Sequence, residues 1–401
     1  MNDRVVVTGL GSVSALGLNT DQFWSALKEG RSGISSLQGF DDSGLKVALG
    51  AQANGFDPSS CFFARDLPIL DRYSQFALMA CQEALAQAGL DETALDGAAA
   101  VIGTGCGGKE TDEATYDQLY RQGKSRAHPF TIPKGMPSAA ASQVSMQLAI
   151  TGPVFTVSSA CSSANHAIAQ AALLIRAGVV QVAVAGGTDA PFTYGLLKAW
   201  EALRVLSKDN CRPFSADRSG LVLGEGAGMV VLESEQHARS RGATMLARLA
   251  GSGMSSDAGH ITDPSAAGAA RAIQAALKDA AMDPQAVDYV NAHGTGTLAN
   301  DRTETEAIHR VFGSHAARLM VSSTKSMHGH ALGASGGLEF VATVLALRDG
   351  VIPPTINFTR PGEGCDLDYV PNTAREKRIQ AAISNSFAFG GLNAVQVLQA
   401  V

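Results

Sequence analysis

A cysteine at residue 161 is the first candidate for chemistry in this chain. It lies where a short apolar, β-rich run, residues 154–157, gives way to an alanine-rich helical pattern over residues 164–175. A cysteine at the start of a helix lies near unpaired backbone N–H groups and the positive end of the helix dipole, and both favour thiolate over thiol. Taken alone, Cys161 is more simply a small buried core residue. The residues further along the chain decide between these two interpretations.

Three further turns carry polar or reactive groups, and each follows a predicted strand. They are residues 291–297, which include His293, residues 325–330, which hold a lysine and two histidines, and residues 385–393, which include Phe389. Catalytic groups commonly lie on such turns at the carboxyl edge of a parallel sheet. We therefore expect the four turns to converge on one site with a thiol, imidazoles and an ammonium group.

Strands alternate with helices along most of the chain, which predicts a mostly parallel sheet covered on both faces. The predicted strands cover residues 4–9, 99–104, 154–157, 180–187, 228–233, 287–293, 319–325, 381–387 and 394–401. The predicted helices cover residues 21–28, 71–88, 138–148, 164–175, 266–280, 301–311 and 335–348.

The chain also contains an internal repeat. Residues 155–168 align without a gap with residues 319–332, and the two segments are identical at six positions. Such self-similarity indicates a duplicated βα unit. Because the alignment places Cys161 opposite Lys325, it predicts that the turns bearing these two residues meet near a pseudo-twofold axis.

The composition limits what the protein can be. Its 401 residues are 45% hydrophobic and 17% charged, as in a compact protein with a large core. A net charge of −6 without a long basic run argues against nucleic acid as the main partner. The six cysteines form no CxxC pair and no cluster with histidines, so we expect neither a disulfide scaffold nor a metal site. With no signal-peptide core and no uninterrupted apolar span, the sequence predicts no membrane insertion and a cytoplasmic location.

Taken in order, these motifs resemble the elongating, type II Cys-His-His β-ketoacyl-acyl carrier protein synthases of the thiolase-like superfamily. The resemblance covers essentially the whole chain and includes Arg-Pro-Phe at residues 212–214, the glycine-rich residues 220–228 and the Phe-x-Phe-Gly-Gly segment. It implies an α/β, thiolase-like fold of two duplicated βα halves in a layered α-β-α-β-α arrangement. Residues 1–238 would form the half that carries the nucleophilic cysteine. Residues 239–401 would form the half that carries the histidines, the lysine and the Phe-x-Phe-Gly-Gly loop.

The resemblance implies a decarboxylating Claisen condensation. Cys161 would hold an acyl group while malonyl-acyl carrier protein loses CO₂, and the acyl chain would grow by two carbons. His293 and His330 would donate hydrogen bonds to the enolate oxygen, so that no metal is required. The backbone N–H groups of Cys161 and Phe389 would form the oxyanion hole. The enzyme would have no cofactor of its own, because 4'-phosphopantetheine arrives on the carrier protein.

Supporting roles follow from the same resemblance. Lys325 is expected to hold and tune His330 through a network with Glu339. Thr295 and Thr297 match positions that hydrogen-bond the pantetheine arm in the family.

The sequence departs from the family pattern at several positions that bear on substrate. Cys106 and Thr131 stand where the family often has a bulkier aliphatic residue and a phenylalanine, so we expect a longer or wider acyl pocket that accepts long or polyunsaturated chains. Ala388 replaces a usual glycine next to the oxyanion phenylalanine and is expected to stiffen that loop. His328 replaces a small hydroxyl residue, and it either perturbs the pKa of His330 or faces solvent.

The resemblance also predicts the partners. An acyl carrier protein would deliver both the acyl and the malonyl groups, and its acidic surface requires a locally basic docking site. The candidates for this docking site are Arg121, Lys124, Arg126, Lys134 and Arg204. We expect a homodimer, or a heterodimer with a homologous subunit.

Three alternatives to a synthase of primary fatty acid synthesis stay open. A ketosynthase of a specialised secondary-lipid pathway, of the nodulation-factor or polyene type, would share every motif, and the pocket departures favour it. A non-catalytic partner of the chain-length-factor type would share the fold but would lack the nucleophile that Cys161 provides. A cysteine hydrolase would explain the thiol and one histidine, but neither the second histidine nor the lysine.

Overall fold

The structure is a computed structural model that describes residues 4–39 and 43–401. Its strands are β1 (Val5–Ser14), β2 (Ser35–Ser36), β3 (Leu49–Gly50), β4 (Ala99–Gly103), β5 (Val154–Val157), β6 (Val182–Asp189), β7 (Gly226–Ser234), β8 (Ala247–Ser256), β9 (Tyr289–Asn291), β10 (Met320–Ser322), β11 (Val351–Ile352), β12 (Arg375–Glu376), β13 (Ala381–Ala388) and β14 (Leu392–Gln399).

The α-helices of the described residues are short to medium in length. They are α1 (Thr20–Glu29), α2 (Pro58–Cys61), α3 (Arg72–Ala88), α4 (Lys109–Tyr116), α5 (Thr131–Gly135), α6 (Ala139–Leu148), α7 (Ser163–Arg176), α8 (Tyr194–Leu203), α9 (Glu235–Ser240), α10 (Ala266–Asp279), α11 (Leu298–Phe312), α12 (Lys325–His328) and α13 (Ser335–Asp349). Within this part of the chain no helix is both long and apolar enough to cross a membrane.

Ten strands form one continuous sheet in the order β10-β9-β13-β14-β8-β1-β7-β6-β4-β5. The sheet consists of two halves with the same arrangement: β1, β4, β5, β6 and β7 in the first half correspond to β8, β9, β10, β13 and β14 in the second. The halves join where residues 5–7 of β1 pair with residues 247–249 of β8 in antiparallel orientation. The duplication expected from the sequence is therefore present in the strand topology.

The prediction of a mostly parallel sheet is wrong. Strand β4 pairs in parallel with β5 and β6, and β9 pairs in parallel with β10 and β13. The other neighbours in this sheet are antiparallel. The reason is clearest at β13 and β14, which are joined by the short turn Phe389–Gly391. Only antiparallel neighbours can be joined without a crossover connection.

The two halves enclose a central layer of helices. Helices α7 and α13 share one apolar core with residues from both halves of the sheet, including β1, β6, β7 and β8. Helices α3 and α6 cover the outer face of the first half, and α10 and α11 cover the outer face of the second. Helix α13 is buried on every side over residues 335–347, as expected of a helix between the two halves of the sheet. The layers therefore follow the α-β-α-β-α order that the sequence resemblance implies.

The repeat has a different register from the one the gap-free alignment predicts. In both halves a 3₁₀ turn leads into the central helix: Ala160–Ser162 before α7 and Leu332–Ala334 before α13. The first residue of each turn has a positive φ, 51° and 48° respectively. By this geometry Cys161 corresponds to Gly333 and not to Lys325. The second half has an additional helical turn, α12, between its strand and its central helix.

The close packing of α13 on β7 provides a test of this central layer. A Cβ atom built on Gly337 would lie 2.2 Å from the carbonyl oxygen of Gly228, which belongs to the backbone and cannot rotate away. Gly337→Ala is expected to lower the free energy of unfolding by about 2 kcal/mol, because overpacking outweighs the ~1 kcal/mol that alanine gains in a helix. Denaturant unfolding measures this change.

Gly55→Ala is the matched control. The nearest atom to a Cβ built there is 3.8 Å away, so the free energy of unfolding should change by less than about 0.5 kcal/mol. Equal effects of the two substitutions would contradict the packing described for α13.

Candidate active site

Cys161 lies in a serine-rich turn between β5 and α7. The hydroxyl of Ser163 donates to the carbonyl of Ala160 at 2.6 Å and accepts from the N–H of Ser159 at 2.9 Å. The hydroxyl of Ser162 donates to the carbonyl of Ser159 at 2.8 Å. These bonds satisfy backbone groups at the helix start and hold Ala160 in a left-handed conformation that non-glycine residues rarely adopt. The position of the thiol is therefore fixed by its neighbours.

One small cavity brings together groups from all four predicted turns. Its lining includes Cys161, His293, Thr297, His330 and Phe389. The rings of the two histidines meet edge to face, with their centroids 5.4 Å apart. The volume is about 110 Å³, well below the roughly 300–1,000 Å³ of ordinary ligand pockets. A ligand of ordinary size can enter only when the surrounding side chains move.

Lys325 contacts His293 and not His330, which corrects the expectation from the sequence. Its Nζ lies 3.3 Å from Nδ1 of His293 and forms an ion pair with Glu339. His330 is held by a different group, since its Nδ1 lies 2.9 Å from the hydroxyl of Ser335. The side chains of Lys325 and Glu339 are fully buried. Lys325 therefore acts on His330 through its positive charge and on His293 through a direct contact.

The contact with Lys325 fixes the tautomer of His293. Because an ammonium group can only donate hydrogen bonds, Nδ1 of His293 accepts and its proton lies on Nε2. Burial lowers the pKa of His293 well below its usual value, and Lys325 and His330 lower it further. Burial also lowers the pKa of His330 well below its usual value, with smaller contributions from Lys325 and His328. Both imidazoles are therefore neutral at pH 7.

The thiol of Cys161 is protonated in the resting protein. Burial raises the pKa of Cys161 to about 12, although the positive charge of Lys325 opposes this shift. The sequence suggests that a helix start favours the thiolate, whereas burial has the largest effect on this thiol, because removing the sulfur from water penalises its charged form. An attack by Cys161 must therefore transfer its proton to a neutral base.

A buried glutamate holds the His293 turn and was not identified in the sequence. The two carboxylate oxygens of Glu304 accept the N–H groups of His293 and Gly294, both at 2.8 Å, and the amide of Asn385 donates to Glu304 at 3.0 Å. Glu304 thus joins the second predicted turn to the fourth. It lies in the charged run of residues 301–306, which looks like an exposed helix face, so the sequence offers no signal for it.

A buried aspartate links a loop of the first half to a turn of the second. Asp189, at the end of β6, accepts the N–H groups of Gly105 at 2.8 Å, Cys106 at 3.0 Å and Gly333 at 2.7 Å. It therefore links the loop after β4 to the 3₁₀ turn before α13. A sequence signal existed for this residue, since an acidic side chain ends the otherwise apolar and small-residue strand of residues 182–189.

Three of the predicted substrate-binding residues are not among the described residues that line the cavity. Thr295 lies beside it, with its hydroxyl 2.9 Å from that of Thr297. Cys106 packs against an apolar cluster that includes Leu332. Thr131 is the first residue of α5 and is half-buried. Their roles therefore stay predictions.

His328 is fully buried, so it does not face solvent. Its Nε2 lies 2.9 Å from the hydroxyl of Thr324, and its ring centroid lies 6.0 Å from that of Phe23. Burial lowers the pKa of His328 to about 3. Its effect on His330 is a small further lowering of that histidine's pKa.

A larger, open groove of about 1530 Å³ lies elsewhere on the first half. Its described lining includes Phe56, Arg72, Glu110 and Glu225, and contains neither cysteine nor histidine. Among the residues that the structure describes, no group of three or more His, Cys, Asp and Glu side chains is placed to hold a metal ion. The small cavity is therefore the candidate active site.

The layered fold, together with a buried thiol and two neutral imidazoles, defines a thiolase-like condensing enzyme. The chain matches the family models "Beta-ketoacyl synthase, N-terminal domain" over residues 2–238 and "Beta-ketoacyl synthase, C-terminal domain" over residues 246–359. The chain belongs to the beta-ketoacyl synthase family.

Individual relatives agree with this assignment. The chain is 51% identical to nodulation protein E of Rhizobium leguminosarum bv. trifolii, with 100% of both chains covered. It is 43% identical to 3-oxoacyl-[acyl-carrier-protein] synthase 2 of Coxiella burnetii, with 99% of each covered. Among solved structures it is similar to the ishigamide ketosynthase/chain length factor, with a TM-score of 0.95 at 35% identity over 100% of both chains.

The family assignment confirms the predicted class of enzyme and its fold. The protein is an acyltransferase that forms a carbon–carbon bond. Ketosynthases use no cofactor of their own, because the phosphopantetheine arm is carried on the acyl carrier protein. The roles of single residues are not settled by this assignment.

The burial of His328 predicts a pH dependence of stability. Its pKa of about 3 in the folded protein lies below the ~6.5 of an unfolded histidine, so the unfolded chain takes up the proton first as the pH falls. The free energy of unfolding should therefore decrease as the pH falls from about 6.5 towards 3. Between pH 7 and pH 5 the wild-type protein should lose about 2 kcal/mol more than His328→Gln.

Denaturant unfolding at the two pH values measures this difference. Comparing the change with pH within each protein removes any constant effect of the substitution on packing. If the wild-type protein and His328→Gln lost the same stability between pH 7 and pH 5, the burial described for His328 would be incorrect.

Proposed function

We propose that Cys161 carries the acyl group and that His293 and His330 activate malonyl-acyl carrier protein, in a ketosynthase of a specialised lipid pathway. The observation that supports the catalytic roles is that the thiol and both imidazoles, all of them buried, line one cavity. The support for the pathway is the 51% identity to nodulation protein E over the full length, against 43% to a 3-oxoacyl-[acyl-carrier-protein] synthase 2.

In the first step Cys161 attacks the thioester of the acyl carrier protein. Since the thiol starts out protonated, a base must take its proton as the sulfur–carbon bond forms. His330 suits this role, because the hydroxyl of Ser335 can either donate to its Nδ1 or accept from it. His293 does not suit it, because Lys325 occupies Nδ1 and the proton already lies on Nε2. The proton then passes from His330 to the departing carrier thiolate.

In the second step the malonyl thioester loses CO₂. The Nε2–H of His293 donates to the thioester oxygen and stabilises the enolate, and His330 donates alongside it once its proton also lies on Nε2. The enolate carbon attacks the acyl carbon on Cys161. The backbone N–H groups of Cys161 and Phe389 receive the oxyanion, and when it collapses the carbon–sulfur bond breaks and the cysteine thiolate leaves. The thiolate then takes up one proton from solvent, which is the proton that the loss of CO₂ from the malonyl carboxylate consumes overall.

Lys325, Glu339 and the two threonines have supporting roles in this proposal. Lys325 keeps His293 in its donor tautomer, and Glu339 balances the buried ammonium charge. Thr297 lines the cavity and its hydroxyl contacts that of Thr295, so the pair can receive polar groups of the pantetheine arm.

The acyl carrier protein would dock on exposed basic residues near the cavity. Arg121, Lys124, Arg126 and Arg204 are exposed, whereas Lys134 is half-buried. Arg204 is the strongest candidate, because the next residue along the chain lines the cavity. Positive charge at this position attracts an acidic partner and sets the orientation in which it docks.

A second chain would cover the edge of the sheet at β5. This strand has a neighbour on one side only, and Phe155 within it is 37% exposed. Thr131 lies between two exposed apolar residues, Phe130 at 50% and Ile132 at 69%. An exposed apolar strand edge is suited to pairing with another chain. The partner would be a second copy, or a homologous subunit as in the ishigamide ketosynthase/chain length factor.

Intact-mass measurement tests the assignment of the nucleophile. Wild-type protein mixed with acyl carrier thioesters should gain the mass of the acyl group, and addition of malonyl-acyl carrier protein should remove it. Cys161→Ala should not acylate, and its condensation rate should fall by about 10⁴-fold or more. Cys161→Gln should still decarboxylate the malonyl donor, because His293 and His330 are intact.

Cys61→Ala is the matched control, since Cys61 is exposed and is not among the described residues of the cavity. It should acylate like the wild-type protein. Acylation of Cys161→Ala at the wild-type rate would exclude Cys161 as the acyl carrier.

The chain-length profile tests the acyl pocket. Cys106→Phe adds a large side chain where the acyl chain is expected to run, so it should shift the accepted groups towards shorter chains. Cys106→Ala is the control for loss of the thiol alone and should keep the parent profile. The profile is measured with a panel of acyl carrier thioesters. If Cys106→Phe had the same profile as the parent, Cys106 would not line the acyl pocket.

A further inference from the structure

The phenylalanine proposed to donate to the oxyanion has an aromatic partner across the cavity. The rings of Phe389 and Trp200 are stacked, with their centroids 6.1 Å apart and their planes inclined by 25°. Both side chains line the cavity that contains Cys161, and both are half-buried. Aromatic pairs at this separation stabilise the arrangement in which they meet beyond the effect of burial alone.

Trp200 belongs to a helix that is tied down at both ends. At the start of α8 the carboxylate of Glu113 accepts the N–H groups of Tyr194 and Gly195, both at 2.7 Å. At the residue after Trp200, the carboxylate of Glu201 accepts the N–H of Val47 at 3.0 Å. The indole of Trp200 therefore lies on a helix whose position is set by hydrogen bonds to neighbouring segments.

Phe389 belongs to a loop that contains two glycines. The next two residues are glycines with φ values of 79° and 70°, a conformation that gives the loop freedom to hinge. Two backbone hydrogen bonds hold this loop to a neighbouring segment, from Gly390 N–H to Ile261 at 2.7 Å and from Asp257 N–H to Gly391 at 2.9 Å. Ile261 is itself 71% exposed. The loop therefore lies between an exposed segment and the fixed ring of Trp200.

We propose that Trp200 is a positioning residue for this loop, and that its indole is the surface against which Phe389 closes over Cys161. A cavity of about 110 Å³ does not admit an acyl-pantetheine arm unless part of its lining moves, and a movement of the Phe389 loop away from α8 would separate the two rings. Trp200 therefore sets how often Cys161 is accessible. It also returns the backbone N–H of Phe389 to the same place at each closure.

The effect of Trp200 on acyl transfer rests on the proposed function, whereas its effect on the access of reagents to Cys161 does not. The first experiment therefore uses iodoacetamide, which needs neither a carrier protein nor an acyl group. Trp200→Leu should raise the rate at which Cys161 is alkylated by about 2- to 10-fold, since the closed loop loses one aromatic contact. Trp200→Phe keeps a ring and should restore a rate close to that of the wild-type protein.

Mass analysis of peptides from the alkylated protein measures the rate of alkylation at each cysteine separately. Cys61 is exposed and serves as the internal control, so its rate should be the same in all three proteins. Equal alkylation rates at Cys161 in the wild-type protein and Trp200→Leu would overturn the proposal. So would a rate in Trp200→Phe as high as that in Trp200→Leu, since the ring would then be irrelevant.

The second experiment reads the ring contact directly by fluorescence. The chain has two tryptophans, so Trp24→Phe leaves Trp200 as the only one, and its emission can be excited at wavelengths that the six tyrosines do not absorb. Trp24 lies on α1, donates to Asp349 at 2.6 Å and is not among the described residues of the cavity. In this background Phe389→Ala should shift the emission of Trp200, and circular dichroism should show an unchanged fold.

An emission spectrum that Phe389→Ala leaves unchanged would mean that the rings are not in contact, and the proposal would fail. If wild-type protein instead failed to acylate with any carrier thioester, the proposed function would fail. The alkylation and fluorescence results would still decide the role of Trp200.

Discussion

The burial of one ammonium group determines how the site is arranged. Lys325 is fully buried, and an unpaired charge in such a place would be destabilising by several kcal/mol. Glu339, on the buried helix α13, supplies the opposite charge. The remaining donor capacity of the ammonium is directed at His293, whose proton must then lie on Nε2. The Lys325–Glu339 pair therefore does more than neutralise charge. It determines that the Nε2 of His293 can only donate a hydrogen bond, whereas His330 remains free to accept one.

The duplicated fold explains how these groups meet. Each half ends a strand near the start of a central helix, and the two central helices lie in one layer. The first half uses the short 3₁₀ turn to present Cys161. The second half uses the same turn without a reactive side chain, at Gly333, and carries Lys325, His328 and His330 on the additional residues before that turn, whereas His293 lies on the turn after β9. Asp189 accepts N–H groups from the loop after β4 in the first half and from the Gly333 turn in the second, so it links the two halves beside the site.

The predictions from sequence are most accurate for features that depend on neighbouring residues in the chain, such as the ends of helices. The predicted helix at residues 71–88 is observed as Arg72–Ala88, since Asp71 caps its start and Gly89 ends it. The prediction is less accurate at residues 301–311, because Thr297 caps a helix that begins earlier, at Leu298. The family resemblance located the thiol and both imidazoles of the cavity, since each of these residues lies within a distinct motif.

The errors concern quantities that depend on tertiary packing. Whether strands run parallel depends on which strands become neighbours, and the alternation of elements does not specify this. The partner of Lys325 depends on the extra turn in the second half, which a gap-free alignment conceals. The pKa of Cys161 depends on how completely the thiol is removed from water, and a position at the start of a helix says nothing about that. The role of Glu304 depends on its burial, which its charged sequence neighbours disguise.

The neutral states of Cys161, His293 and His330 have one origin, which is the burial of these side chains away from water. The same exclusion of water that leaves Cys161 protonated also keeps His293 and His330 uncharged, so the resting site holds a weak nucleophile and weak bases. Such groups react only when substrate brings them into hydrogen-bonding contact, since burial away from water strengthens each such contact. Water that entered freely would weaken those hydrogen bonds to the enolate and could protonate it. In the proposed mechanism the condensation therefore requires a closed cavity as much as it requires the thiol and the imidazoles. Under the proposal for Trp200, the loop that carries Phe389 admits the substrate and then closes again.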